Sequence, residues 1–290
     1  MADTLYDVLV KAFDEVGQSK SGTATGGSTT TVVDSDMGGN NSDFVNGLMI
    51  ITYDAGGEAA APENEISKVT AYTSSSGTFT VSPAFSEAVA AGDMFFAGGS
   101  RFPYEDTLRI INSTLRKLGP VMDYDESLTT SSSTTEYAIP SAVKGGLKQV
   151  WIPTLSTAGD YRWKQITDWY VVDEGTPAGT SYLIFRSQPE SGKTLRLVYE
   201  THHPKVWAGS DTIYEGFHLN RVVAEVVYNL LKWQYGMQDG STDVQLLNHA
   251  LEERKYARKK YPIHSAPVPF KPLMTFRSER RDKYGPWLVN

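Results

Sequence analysis

The chain has 290 residues, 40% of them hydrophobic, no cysteine and a formal net charge of -7. That length exceeds what one small core accommodates and points to two or three sub-domains, while the hydrophobic share excludes a disordered chain. The absence of cysteine excludes disulfides, thiolate zinc sites and cysteine nucleophiles, and the acidic balance argues against a general nucleic-acid binder.

No apolar run reaches the roughly 20 residues that span a bilayer. The best candidate, from Val222 to Leu231, is interrupted by Glu225, Tyr228 and Asn229. Asp3 and Asp7 flank what would have to be the apolar stretch of a signal peptide, so we expect no membrane partner and synthesis in a cytoplasm.

In chain order, Leu5, Val8, Leu9, Ala12, Phe13 and Val16 follow the i, i+3, i+4 spacing of an amphipathic helix, and Gly17 is its expected stop. From Gln18 to Asn41 the composition turns to Gly, Ser and Thr; GTATGG, from Gly22 to Gly27, reads as a flexible linker and Thr29 to Val33 as a short strand. Gly47 to Tyr53, Ile66 to Tyr72, Gly77 to Val81 and Met94 to Ala97 read as further strands, predicting a small antiparallel barrel or sandwich. Phe102 and Pro103 open a second helix with the stripe Leu108, Ile111, Leu115 and Leu118, which Gly119 and Pro120 terminate.

The stretches TEYAIP, KQVWIP, RWKQI, DWYVV, YLIFR and TLRLVYE, between Glu136 and Tyr199, predict a second antiparallel β domain. Val222, Val223, Val226, Val227, Leu230 and Leu231 then form the wide apolar face of a third helix. Ser241 or Thr242 caps a fourth, in which Val244, Leu247, Leu251 and Arg254 share a side. Pro262, Pro267, Pro269, Pro272 and Pro286 forbid regular helix beyond it.

The expected fold is α+β, a four-helix frame interrupted by two antiparallel β domains and followed by an extended C-terminal arm. Its parts are residues 1–17 (first helix), 18–100 (β barrel or sandwich), 101–120 (second helix), 121–207 (second β domain), 208–261 (helix pair) and 262–290 (arm). In this reading the helices are the scaffold and the β domains its outgrowths.

Little in the chain nominates chemistry. His202 and His203 are neighbours that a strand would point to opposite faces, and His218, His249 and His264 stand without metal-ligand spacing. Asp34 and Asp36 lack the glycine and distal glutamate of a calcium loop, and Asp123, Asp125 and Glu126 read as a solvated turn after a helix terminator. GTATGG follows a helix rather than joining strand to helix and lacks the Lys-Ser/Thr pair of a phosphate loop, and no Gly-x-Ser-x-Gly occurs. The expectation is a protein without catalytic residues, cofactor or metal, and not an enzyme.

Two features suggest contacts instead. The basic run Arg254, Lys255, Arg258, Lys259 and Lys260 is either a solvated helix end that complements the helix dipole or a patch for an acidic partner or a passing DNA backbone. The arm carries Phe270, Met274, Phe276 and Trp287 among its prolines, side chains suited to covering its own subunit or docking on a neighbour. These four residues with Arg254, Arg258 and Lys259 are the expected interface.

The stretches GTATGGSTTTVVD, FVNGLMIITYD, ISKVTAYTSSSGTFTVSPAF and AAGDMFF resemble a module that recurs in structural proteins of tailed bacteriophages. Helix pairs before and after a β insertion, with a long C-terminal arm, resemble the head-to-tail connector or adaptor proteins of the phage neck. The resemblance implies a homo-oligomeric, dodecameric ring of about twelve copies between the portal and a downstream tail or nozzle protein. Genomic DNA would pass through its channel without sequence-specific binding, and the protein would reside in the virion. Carried onto this chain, Val222 to Lys260 would form the ring wall and Pro262 to Asn290 the docking element. Two alternatives stay open: another virion role such as tail terminator, tail tube, decoration or fibre attachment, and a carbohydrate-binding or hydrolytic β protein with Trp151, Trp163, Trp169 and Tyr170 as a sugar-stacking platform.

Overall fold

The computed structural model describes residues 3–17, 19–57, 60–157, 160–173, 180–237 and 244–263, with backbone alone for 155–157, 160–162 and 173. The expected arm from residue 264 onward, with Phe270, Met274, Phe276 and Trp287, and the expected cap at Ser241 or Thr242 lie outside the described residues. The fold is α+β, and the described residues divide into two compact units, one within 3–119 and 203–263 and the other within 120–202.

In the first unit, α1 (Leu5–Val16) starts at a reciprocal cap. The Thr4 hydroxyl accepts from the Asp7 backbone N–H, the Asp7 carboxylate accepts from Thr4, and Gly17 ends the helix in the left-handed region at φ 63°. Seven strands follow: β1 (Ser19–Thr23), β2 (Gly26–Gly27), β3 (Thr31–Val33), β4 (Leu48–Tyr53), β5 (Ile66–Thr73), β6 (Thr78–Ser82) and β7 (Met94–Gly98). They form one antiparallel sheet in the order β1-β7-β4-β5-β6-β3-β2. Its two edge strands are consecutive in sequence and meet at the Ala24–Thr25 corner. There Ala24 N–H donates to Asp93 O at 2.7 Å and Thr25 N–H to Val33 O at 2.7 Å, so the sheet curls until its edges approach.

The segment expected to be a flexible linker is therefore strand on both sides of the Ala24–Thr25 corner. Backbone pairing, which needs no apolar side chain, holds it, and its glycines make room for neighbours: a Cβ on Gly22 would lie 2.6 Å from the Phe95 ring. Inside the curl pack Val32, Met49, Ile51, Val69, Phe79 and Phe95, with Phe79 against Tyr72 at 4.5 Å and against Phe44 at 5.2 Å between ring centroids. Alternation places Leu48, Ile50 and Phe96 on the opposite face, also buried. Phe13 of α1 meets Phe96 edge to face at 6.1 Å and Phe102 at 5.9 Å. The first β region is thus a layer of the same unit as the helices rather than an outgrowth of them.

Three helices complete this unit: α2 (Tyr104–Leu118), α3 (Leu219–Met237) and α4 (Val244–Lys260). α3 is the hub, packing against α1, α2 and α4, with Val222, Val223, Val226, Val227, Leu230 and Leu231 all buried. Asn229 of α3 donates to the Thr114 hydroxyl of α2 at 2.9 Å. The buried residues of α4 are Ala250 and Ala257, small side chains that admit close approach to α3. Of the residues expected on that face, Leu247, Leu251 and Arg254 are half-buried beside Ala250 and Ala257, while Val244, at the start of the helix, is 51% exposed.

The second unit holds β8 (Pro120–Asp125), β9 (Glu136–Ala138), β10 (Leu147–Thr157), β11 (Asp160–Ile166), β12 (Trp169–Asp173), β13 (Ser181–Phe185) and β14 (Arg196–His202). Two antiparallel sheets form, β11-β10-β14-β8 and β12-β13-β9, with Tyr137, Val143, Val150, Leu183, Phe185 and Leu197 in their common core. Residues 123–125, expected in a solvated turn, lie on β8, where Tyr199 O–H donates to the Asp123 carboxylate at 3.2 Å. The strand escaped pattern reading because Asp123 and Asp125 interrupt its hydrophobic alternation.

Candidate interaction surfaces

Two histidines, His203 and His218, have ring contacts, while His202 and His249 are exposed and His264 lies outside the described residues. His203 is buried; its Nδ1 donates to Pro204 O at 2.6 Å, its Nε2 accepts from Tyr214 N–H at 3.1 Å, and its ring stacks on Phe217. Both ring nitrogens are thereby engaged and neither is open to a metal. His218 stacks on Tyr261 at 3.7 Å. Among the described residues, no three His, Asp or Glu side chains converge as metal ligands. Asp34 is buried and bonds its own loop: its Oδ1 accepts from Asp36 N–H at 3.0 Å, while its backbone N–H donates to Gly77 O. Among the described residues, no helix is long and apolar enough to cross a membrane.

The basic run of α4 divides into two groups. Arg254 and Arg258 turn toward α3, where both donate to the carboxylate of Glu225, itself only 5% exposed; the Arg254 bond is 2.7 Å. Arg254 also lies over the Tyr228 ring at 4.3 Å. Burial alone would raise the Glu225 carboxyl, but hydrogen bonds from Arg258 and Arg254 outweigh it and hold that pKa below the ordinary carboxylate value. Lys255 pairs with Glu252 on the exposed side, and Lys259 is exposed. Of the expected interface cations, Lys259 makes no ion pair among the described residues, while Arg254 and the half-exposed Arg258 fasten α4 to α3.

The helix pair is clamped again at the end of α4. Arg221 donates to Tyr261 O at 2.8 Å, and the Tyr261 ring lies on His218. A methyl group of Ile263, the last described residue, lies 3.8 Å from the Cβ position of Gly119, which follows α2.

In the second unit, the outward face of the larger sheet carries an aromatic groove of about 350 Å³. Tyr124, Trp151, Trp163 and Arg196 line it, and the Arg196 guanidinium stacks 3.9 Å from the Trp163 ring and 4.7 Å from Tyr124 while pairing with Glu126. The four aromatics considered as a sugar platform do not assemble. Trp169 and Tyr170 belong to the smaller sheet, Trp169 Nε1 donates to Ile166 O at 2.9 Å, and Arg196 covers one face of Trp163.

A surface not anticipated from the sequence lies along α2, where Leu108 and Asn112 face a groove bordered by Lys205 and Trp207. Its parts are about 90 residues apart, so no local pattern reveals it. Compared with known proteins, the chain matches no family model and no curated protein.

Proposed function

We propose that this chain is a structural protein of a tailed-phage virion, a head-to-tail adaptor whose copies close into a ring joining portal to tail around the DNA channel. The observation that carries this reading is the helical frame. α3 is surrounded by α1, α2 and α4 and locked to α4 at two places, Glu225 and Tyr261. A ring wall needs a stiff element that transmits heterologous contacts from copy to copy, and a helix pair fastened by a half-buried ion pair and a stacked terminus meets that need. The clamp at Tyr261 also fixes the end of α4, the last helix before the proline- and aromatic-rich sequence 264–290, whose composition suits a docking arm.

The test is the solution mass, by light scattering, of the full chain and of residues 1–261, each alone and mixed with portal protein. We expect a large closed assembly from the full chain, formed alone or with the portal, and none from the truncated chain. Compact monomers from both, with no binding to the portal, would overturn the adaptor reading.

A further inference from the structure

From the groove along α2 we infer a docking site for an acidic peptide segment of another protein, one that carries large apolar side chains between Asp or Glu residues. This inference does not rest on the adaptor reading. The groove encloses about 720 Å³. Its base includes Leu108 and Asn112, both buried, and its walls come from Tyr104, the exposed last turns of α2 and the segment 205–207.

That segment is held rigidly. The Asn112 amide donates to Val206 O at 2.9 Å and accepts from Val206 N–H at 2.8 Å, so Val206 points inward and the chain neighbours Lys205 and Trp207 turn outward. The carboxylate of Asp211 accepts from the backbone N–H groups of Trp207 and Ala208, which fixes the following turn. Trp207 is therefore presented in one place yet 58% exposed, the kind of preorganised aromatic that anchors an interface.

The charge around the groove selects the occupant. Glu105 is paired with Lys68, and Arg109 with Asp106. Arg116, Lys117 and Lys205 make no ion pair among the described residues, which leaves the rim cationic on a chain whose net charge is -7. Arg116 and Lys117 do complement the C-terminal dipole of α2, but that accounts for neither Lys205 nor Trp207, which another segment contributes. A DNA backbone would satisfy the cations while leaving the apolar base and the indole uncovered. The segment 264–290 of a second copy is a poor match in charge, because Lys271, Arg277, Arg280, Arg281 and Lys283 outnumber Glu279 and Asp282.

The experiment is fluorescence anisotropy on the full-length protein with labelled synthetic peptides. One has Leu and Phe at helical spacing with Asp and Glu between them, one alternates the same residues as a strand would, and the controls are their lysine counterparts, the 264–290 peptide and a short DNA duplex. We expect at least one acidic peptide to bind and to weaken with salt. Trp207→Ala should weaken it about tenfold, the double change Arg116→Glu with Lys117→Glu at least about tenfold, and Lys259→Glu, on α4, not at all. The inference is overturned if neither acidic peptide binds, if the duplex, the lysine peptides or the 264–290 peptide bind more tightly, or if the groove variants leave acidic-peptide binding unchanged.

Discussion

Glu225 stands in the middle of the apolar face of α3, where a carboxylate would be costly without its two arginines. Replacing it with Gln removes the negative charge but leaves Arg254 and Arg258 facing the same site, with Arg221 nearby. Breaking a fully buried pair costs about 3–5 kcal/mol; because the Arg258 side chain is 49% exposed and screened by solvent, we expect about 2–3 kcal/mol for Glu225→Gln at neutral pH. The direction with pH follows from the lowered carboxyl. Its folded pKa lies below the ordinary 4.5, so the unfolded chain binds the proton more readily. The stabilisation is complete above that ordinary value and is lost as pH falls through it toward the folded pKa. Urea unfolding of both proteins across that acidic range should show the native protein converging on the variant. Parallel curves, or a variant as stable as the native protein at neutral pH, would show that the ion pair does not hold α4.

At the scale of elements, two glycines of the first sheet make opposite predictions. Gly98 ends β7 beneath α1, where an added Cβ would lie 2.7 Å from the Phe13 ring and 3.0 Å from Leu48. Gly26 on β2 has nothing within 4 Å of its Cβ position. Gly98→Ala should therefore destabilise by about 1–3 kcal/mol through overpacking, while Gly26→Ala should stay within about 0.5 kcal/mol. Thermal unfolding of the two single variants checks this; equal effects would mean that α1 is not seated on β7 as described. These elements also show what a linear reading of the chain can detect. β4 to β7 were legible from alternating, β-branched and aromatic residues, and α1 to α3 from their stripes and stops. β1 and β2 were not, since Ser, Lys, Gly and Thr join the sheet by backbone pairing and leave no hydrophobic pattern. The basic run of α4 was visible, but its inward turn depended on Glu225, 29 residues before Arg254 and 33 before Arg258. The α2 groove depended on a contact between Asn112 and Val206 that spans 94 residues.

For the whole molecule, the way the chain enters and leaves the second unit sets the remaining prediction. β8 begins at Pro120 and β14 ends at His202, and these two residues are partners in the antiparallel register between the strands. Entry and exit thus lie within the roughly 5 Å that separates paired strand residues. Each unit has its own apolar core, one around Phe79 and Phe95 and the other around Val150 and Leu197. A segment inserted through adjacent ends and folded around its own core can be removed without opening the core of its host. Residues 120–202 produced alone should unfold in one cooperative transition, and the chain with Gly119 joined to His203 by a short Gly-Ser linker should keep its helical circular dichroism. Because α1 to α4 all remain in the shortened chain, the adaptor reading further expects it to retain any assembly made by the helical frame. Loss of folding in the shortened chain would mean that the first unit depends on the second for its core. Folding with loss of assembly would instead place the contacts between copies on the second unit, moving the ring wall away from α3 and α4.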